Sequence, residues 1–389
     1  MNVAIYSGSI SATTFINQLV DGLSRRGVCI FLFGNDNRRN NQHASNIYVF
    51  PTPSGKFSRI LFVIFNCGLL LLMAPKRFIT LWRHINELEG NHFTCWCKYL
   101  PVVLHLPDIF HVQWAKAANE WVFLKDLFGV RLILSFRGAH INYSPICDEK
   151  LALSYMQSFP KYDGFHAVSK AISKVATKYG ADFDKTRIIY PAVNMALFNS
   201  LSDYKPHQTL NILSVGRHHW KKGYCYALDA LRLIKNKGIP FVYTIVASGD
   251  NEELLYQRHD LSLEKDVLFL EGMPQNKISE LMAKSDLFLL PSVEEGIANV
   301  VLEAMAVGCP VISTNCGGMA EVIQDGYNGW LVPIRDSSAL AEAIVAFLHI
   351  NVEQRNTIRH NAYHTVSESH ALEKQVLEMI DFYHEIENN

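Results

Sequence analysis

LNILSVGRHHWKKGYCYALDALRLIKNKGIPFVYTIVASG, residues 210–249, opens with an apolar run ending at Gly216 and closes with another ending at Gly249. Between them YCYALDALRLIKNKG has helical composition and stops at Gly238, the residue type that accepts the left-handed backbone at a helix end. Strand, helix and strand in this order predict a βαβ unit and therefore a parallel sheet. The same order stands at residues 3–34: VAIYSG ends at Gly8, a helical stretch runs to Arg26, Gly27 stops it, and VCIFLFG follows. Two such openings predict two doubly wound Rossmann-like α/β domains, each delivering a loop to the carboxyl edge of its sheet, where ligands of these sheets bind. Two such sheets facing across a cleft would enclose a ligand.

A chain of 389 residues is long enough for two cores. The expected domains are 1–198 and 209–365, with the polar stretch 199–208 as hinge. Residues 366–389 read as a terminal helical segment with the option of packing back on the first domain. Downstream of residue 249, strands are expected at VLFLEG, LFLLP, PVIST and WLVP. Helices are expected near 278–284, 299–307, 338–348 and 371–387.

With 49% apolar residues, 19% charged and a net charge of −1, the composition is that of a globular protein. No global field draws it to nucleic acid. The eight cysteines are scattered, and Cys95-Trp96-Cys97 lacks the spacing of zinc or redox pairs, which points to buried thiols in a reducing compartment. MNVAIYSGSI has no basic leader and reads as a strand, not a signal peptide. The expected location is cytoplasmic.

One segment stands apart. ILFVIFNCGLLLLMA begins at Ile60 and ends at Ala74, flanked by Lys56, Arg59, Lys76 and Arg77. A spanning helix takes about twenty apolar residues, and Pro75 stops this one short. Three readings stay open: a buried helix, a contact with the inner face of the cytoplasmic membrane, and a true span.

Neither opening loop is a dinucleotide fingerprint or a P-loop, so NAD, FAD and P-loop ATP chemistry are not expected. Arg217 follows the strand-ending Gly216, and Lys222 sits at the start of the next helix. A planar fork and a point charge beside a helix start suit a pyrophosphate; the alternative is a solvated basic turn.

PSVEEGIANVVLEAMAVGCPVIST, residues 291–314, adds two carboxylates, Glu295 and Glu303. Residues 299–307 should form a helix closed by Gly308 and Pro310, so Gly296, Ile297 and Ala298 would present unpartnered amides at its positive end. Helical side chains lean toward the N-terminus, so Glu303 should point back toward the same place and could accept from a ribose diol. Its neighbours Val300, Val301, Leu302 and Ala304 argue against a solvated face. Glu295 would face sugar hydroxyls beyond the phosphates. Together these groups describe a nucleotide diphosphate-sugar.

PSVEEGIANVVLEAMAVGCPVISTNCGGMAEVI, with its E-x7-E pair, resembles the signature of retaining GT-B glycosyltransferases of family 4, also called group 1. GR–x4–KG at 216–223 is similar to that family's phosphate loop, and FHAVS and IIYPAVNMALF resemble it more loosely. The resemblance implies a GT-B fold and a hexosyltransferase that acts with retention, without metal or other cofactor, in cell-surface polysaccharide synthesis. It implies that Arg217 and Lys222 neutralise the leaving diphosphate, with the amides of Gly296, Ile297, Ala298, Asn299 and Val300. Glu303 would hold the ribose, Glu295 the donor sugar, Gly8 would admit the diphosphate, and Gly272 and Met273 would meet the base. The implied partners are a nucleotide-sugar donor and a saccharide or lipid-linked acceptor.

One position departs from the family. Where its members carry a His-Gly pair, LILSFRGAH has Arg137 before Gly138, with His140 two residues on; Arg is no base at neutral pH. Either Arg137 binds an anionic group or His140 takes the role, with His111 and His166 more distant. Asp182-Phe183-Asp184, a literal D-x-D, reads as a turn. A nucleotide-sugar epimerase of the same fold and a degenerate binding module are the alternatives.

Overall fold

The computed structural model describes residues 1–10, 13–35, 44–198, 201 and 207–388, so most of the expected hinge lies outside the described residues. The chain forms two compact units. One comprises residues 1–168, 173–189 and 376–389, the other residues 169–172 and 190–375. These bounds differ from the expected ones at both joins. Residues 190–198 and 366–375 belong to the second unit because they pair with each other. Val193 bridges Ala371, His370 Nδ1 meets the Pro191 carbonyl at 2.9 Å, and Phe198 lies in the second unit's core.

The first unit is built on strands β1 (Asn2–Tyr6), β2 (Cys29–Asn35), β3 (Ile47–Thr52), β4 (Ile109–Val112), β5 (Arg131–Phe136), β6 (Gly164–Ala167) and β7 (Thr186–Ile188). They form one sheet in the order β3-β2-β1-β4-β5-β6-β7, parallel throughout. Central strands such as IFHV are buried at every position, as a sheet covered on both faces requires. The order reverses direction between β1 and β4, and the crevice beyond their carboxyl ends is the ligand position of such sheets.

The second unit repeats the plan with β8 (Leu210–Arg217), β9 (Phe241–Ser248), β10 (Val267–Leu270), β11 (Leu287–Leu290), β12 (Val311–Thr314) and β13 (Trp330–Val332). Their order is β10-β9-β8-β11-β12-β13, which places the reversal between β8 and β11. Helices Tyr224–Asn236, Gln275–Lys284, Asn299–Ala306 and Ser337–His349 stand where the sequence predicts them, within a few residues.

Residues 376–389 complete the first unit. Gly22 is the nearest wall for Val376, where an added Cβ would lie 2.4 Å from Cγ2, and Gly164 takes Ile386 and Phe382 in the same way. The Tyr383 hydroxyl, His111, Ser135, His166 and the Ile189 carbonyl form a continuous chain of hydrogen bonds of 2.8–3.0 Å. The carbonyl can only accept, so His166 Nε2 carries a proton, and the direction propagates: Ser135 donates to His166, His111 Nε2 to Ser135, and Tyr383 to His111 Nδ1. Burial holds both imidazoles neutral, His166 down to about 3. Both rings are fully enclosed. This corrects any role for His111 or His166 as a base, since every ring nitrogen is already used.

Helix α1 (Thr14–Arg25) covers the first sheet, and α2 (Lys56–Met73), α3 (Pro75–Glu87) and α4 (His92–Leu104) pack on one another. In α2 only Leu70 is buried, which overturns the buried-helix reading. Phe57, Leu61, Ile64, Phe65 and Leu72 recur at helical spacing on the side opposite Leu70, and Leu72 is 84% exposed. The helix is long and apolar enough to cross a membrane, yet one face is committed to α3 and α4.

Candidate active site

At the carboxyl end of β8, Gly216 and Arg217 pair with Ala247 and Ser248 of β9. A single turn, Trp220–Lys222, leads to Gly223 and the following helix. Two glycines here are sterically required. A Cβ on Gly216 would lie 2.7 Å from Tyr224 Oη and 3.2 Å from Lys222 Cε. One on Gly223, at φ +63°, would lie 2.0 Å from the Pro291 carbonyl oxygen. The Lys222 stem therefore lies against the strand end, and the basic loop packs against the loop after β11. Val293 N–H closes that contact on the Lys221 carbonyl at 2.7 Å.

Glu295 is 7% exposed. Its Oε1 accepts from Lys222 Nζ at 2.7 Å and from Ser292 Oγ at 3.1 Å, and Lys221 Nζ stands 3.9 Å from Oε2. Burial pushes this carboxyl up, but the two ammonium groups outweigh it and hold it below the ordinary value. Lys221, which looks like half of a solvated turn in the sequence, is thus part of the site, as is Ser292. Arg217 is exposed. Its charge, with those of Lys221 and Lys222, adds to burial in lowering the pKa of neighbouring His219. Two ammonium groups face one buried carboxylate, with the Arg217 charge nearby at His219, an excess of positive charge on this loop that suits an anion.

The backbone of the second loop is fixed by a glycine pair. At Gly317, φ +54°, a Cβ would fall 1.7 Å from the Glu295 carbonyl oxygen, and Gly318 N–H donates to the Gly296 carbonyl at 2.7 Å. Helix Asn299–Ala306 follows. Among the described residues the amides of Gly296, Ile297, Asn299 and Val300 have no acceptor. The Ala298 amide, expected to be unpartnered too, instead points at Met319 Sδ, 3.5 Å away.

Glu303 is half-buried in that helix and accepts from Gln275 Nε2 at 3.3 Å. Burial raises its pKa to about 7, with no cation to oppose it. Gln275 opens the helix that follows Gly272 and Met273. Gly272 is exposed, and Met273 packs on the same core as the Glu303 helix. The expected ribose and base positions are thereby linked within one unit.

In the first unit, Gly8 follows β1 at φ +83° with open space where a Cβ would stand. Arg137 follows β5, with Nη2 donating to Gln113 Oε1 at 2.9 Å and Cζ 4.8 Å over the Phe15 ring. His140 packs edge-on to Trp114, 5.3 Å between centroids, and its carbonyl accepts from Tyr155. Asp182 accepts from the Asp184 amide at 3.0 Å, as a turn would.

Residues 202–365 match the family described as glycosyl transferases group 1. Among curated proteins the chain is similar to the amylovoran biosynthesis glycosyltransferase AmsK of Erwinia amylovora, 34% identical over 61% of this chain and 60% of the relative. It is 30% identical to the putative colanic acid biosynthesis glycosyltransferase WcaL of Escherichia coli K12, over 64% and 63%. The matched stretch thus spans under two thirds of those relatives' length. Among solved structures it resembles sucrose-phosphate synthase of Thermosynechococcus elongatus, with TM-score 0.79 and 18% identity over 99% of each chain. It also resembles HepE of Anabaena in complex with UDP, with TM-score 0.72 and 18% identity over 99% and 100%. These likenesses show a GT-B fold of two Rossmann-like sheets.

Proposed function

We propose, from the match of residues 202–365 to the family described as glycosyl transferases group 1, that the chain moves a hexosyl group from a nucleotide diphosphate-sugar to a saccharide or lipid-linked acceptor. The named roles of AmsK and WcaL support cell-surface polysaccharide synthesis as the setting. The observation that carries the reading is the pairing of Lys222 and Lys221 with the buried carboxylate of Glu295, with Arg217 on the same loop, beside amides that have no acceptor among the described residues.

In the proposed reaction an acceptor hydroxyl bonds to the anomeric carbon, with retention of configuration, while the bond to the β-phosphate oxygen breaks and that departing oxygen takes the hydroxyl's proton. The nucleoside diphosphate leaves with the electron pair. Arg217, Lys222 and the amides of Gly296, Ile297, Asn299 and Val300 meet the charge that develops on it. Removing one such donor typically costs about 2.7–4 kcal/mol of barrier lowering. The protein's own cations do this work, so the proposed enzyme needs no metal or cofactor. Glu303 accepts from the ribose, Glu295 meets the donor sugar, Gly8 admits the diphosphate, and Gly272 and Met273 flank the base. The exposed stripe of α2, with its basic flanks, rests on the inner face of the cytoplasmic membrane. A peripheral position brings a lipid-linked acceptor within reach.

Thermal denaturation with a panel of nucleotide-sugars tests the donor. A true donor at a hundred times its Kd stabilises by about 2.7 kcal/mol, and the gain should vanish in Arg217→Ala. If no nucleotide-sugar shifts the transition or is turned over, the reading fails.

A further inference from the structure

We propose that Arg137 and Gln113 form an oxyanion-binding site in the first unit that takes a carboxylate or phosphate group of the acceptor. Only the word acceptor rests on the transfer reaction above; the site itself does not.

Gln113 follows β4 directly, its amide donating to the Tyr6 carbonyl at 2.9 Å, at the reversal point of the first sheet. Its side chain is fully buried. Arg137 Nη2 donates to the side chain's oxygen, while Nε2 has no hydrogen-bond partner among the described residues. Nε of Arg137 is buried and unpartnered in the same way. No described carboxylate forms an ion pair with Arg137, and burial alone draws its pKa down to about 10, which leaves it charged at neutral pH.

A fold rarely keeps a half-buried guanidinium, its Nε enclosed, without a counter-charge, because the lost hydration is not returned. Here the fold does more than tolerate it. Phe15 holds the plane of the fork, and Gln113 orients it while presenting a donor of its own. With the glutamine oxygen turned to the guanidinium, what the pair leaves unpartnered are N–H donors beside a positive charge. Such a pair selects an oxyanion and rejects cations. Trp114 stands 6.2 Å from Phe15, centroid to centroid, and 5.3 Å from His140. Rings at this spacing give an apolar wall suited to one face of a sugar, so an acidic sugar fits the chemistry. A phosphate on a lipid-linked acceptor would satisfy the same donors.

The test is titration of the full chain in an Arg217→Ala background, where the basic loop of the second unit is weakened, with glucuronate, glucose and inorganic phosphate. One anion should bind at least tenfold more tightly than glucose and lose at least tenfold in Arg137→Gln. Glucuronate behaving so names an acidic sugar, and phosphate names the lipid-linked source. Arg137→Lys keeps the charge without the fork; it should keep the melting temperature while losing the anion. Anion affinities in both variants equal to the parent's overturn the proposal, as does the absence of any anion preference in the parent. Donor binding in the second unit does not enter this titration, so its failure would be seen separately.

Discussion

Lys222 Nζ and Glu295 Oε1 stand 2.7 Å apart across 73 positions of sequence, with side chains only 13% and 9% exposed. The ammonium that would meet the diphosphate is therefore already held by the carboxylate that would meet the sugar. Removing one partner strands the other. Lys222→Met should destabilise by about 3–5 kcal/mol in urea denaturation, whereas Lys222→Met with Glu295→Leu should recover most of that loss. Neither should turn over donor. Full activity in the double variant would refute the roles given to both residues.

With the pKa of Glu303 at about 7, the proposed ribose contact would tie donor binding to pH. A diol donates to the ionised carboxylate, so donor affinity should rise between pH 6 and 8, and Glu303→Gln should flatten that rise. Between the ordinary 4.5 and about 7 the folded state binds more protons than the unfolded one, so stability falls as pH rises through this window. Glu303→Gln should thus raise unfolding free energy at pH 8 by about 1–3 kcal/mol. A pH-independent Kd in the parent would remove the ribose contact.

Gly317 and Gly326 have similar backbones, φ +54° and +71°, but only Gly317 abuts the Glu295 carbonyl. Gly326→Ala should cost only the backbone term, about 1–2 kcal/mol. Gly317→Ala should cost more and depress turnover by moving Glu295. Equal effects of the two on melting and kcat would show that the close approach is not needed.

Tyr383→Phe leaves His111 Nδ1 buried without its donor. The expected loss is about 1–3 kcal/mol of stability, with the Kd for donor unchanged because the second unit is untouched. A change in Kd without a change in stability would contradict the structural role.

The exposed face of α2 predicts binding to anionic vesicles that weakens with salt, at about 1 kcal/mol for each nearby Lys or Arg. Phe57→Ser, Phe65→Ser and Leu72→Ser together should abolish flotation with such vesicles and leave the melting temperature nearly unchanged, since all three side chains face solvent. Flotation equal to the parent's would dismiss this surface.

Both βαβ openings were legible because apolar runs ending in glycine mark strand ends directly. The positions of Arg217 and Glu295 were legible because Arg217 directly follows the Gly216 that ends such a run, and Glu295 lies on the loop that enters the next helix. The exposure of α2 was not, since its composition is equally apolar whether it meets a core or a membrane. Gln275, Ser292 and Gln113 were missed for another reason: each is an ordinary polar residue whose meaning comes from a partner. For Gln275 and Gln113 that partner lies 28 and 24 positions away. Gly317 and Gly318 were visible as a pair, but only the backbone they abut says why.

The return of residues 376–389 to the first unit has a consequence for biosynthesis. Tyr383 closes the polar chain through His111 and His166, so that core is incomplete until residues 376–389 have emerged from the ribosome. At about 5–20 residues per second the nascent β1–β7 sheet, whose last strand ends at Ile188, would wait roughly 10–40 s for Tyr383 to emerge. The second unit, whose last strand ends at Val332 and which closes at residue 375, has the shorter wait and would reach its final form first.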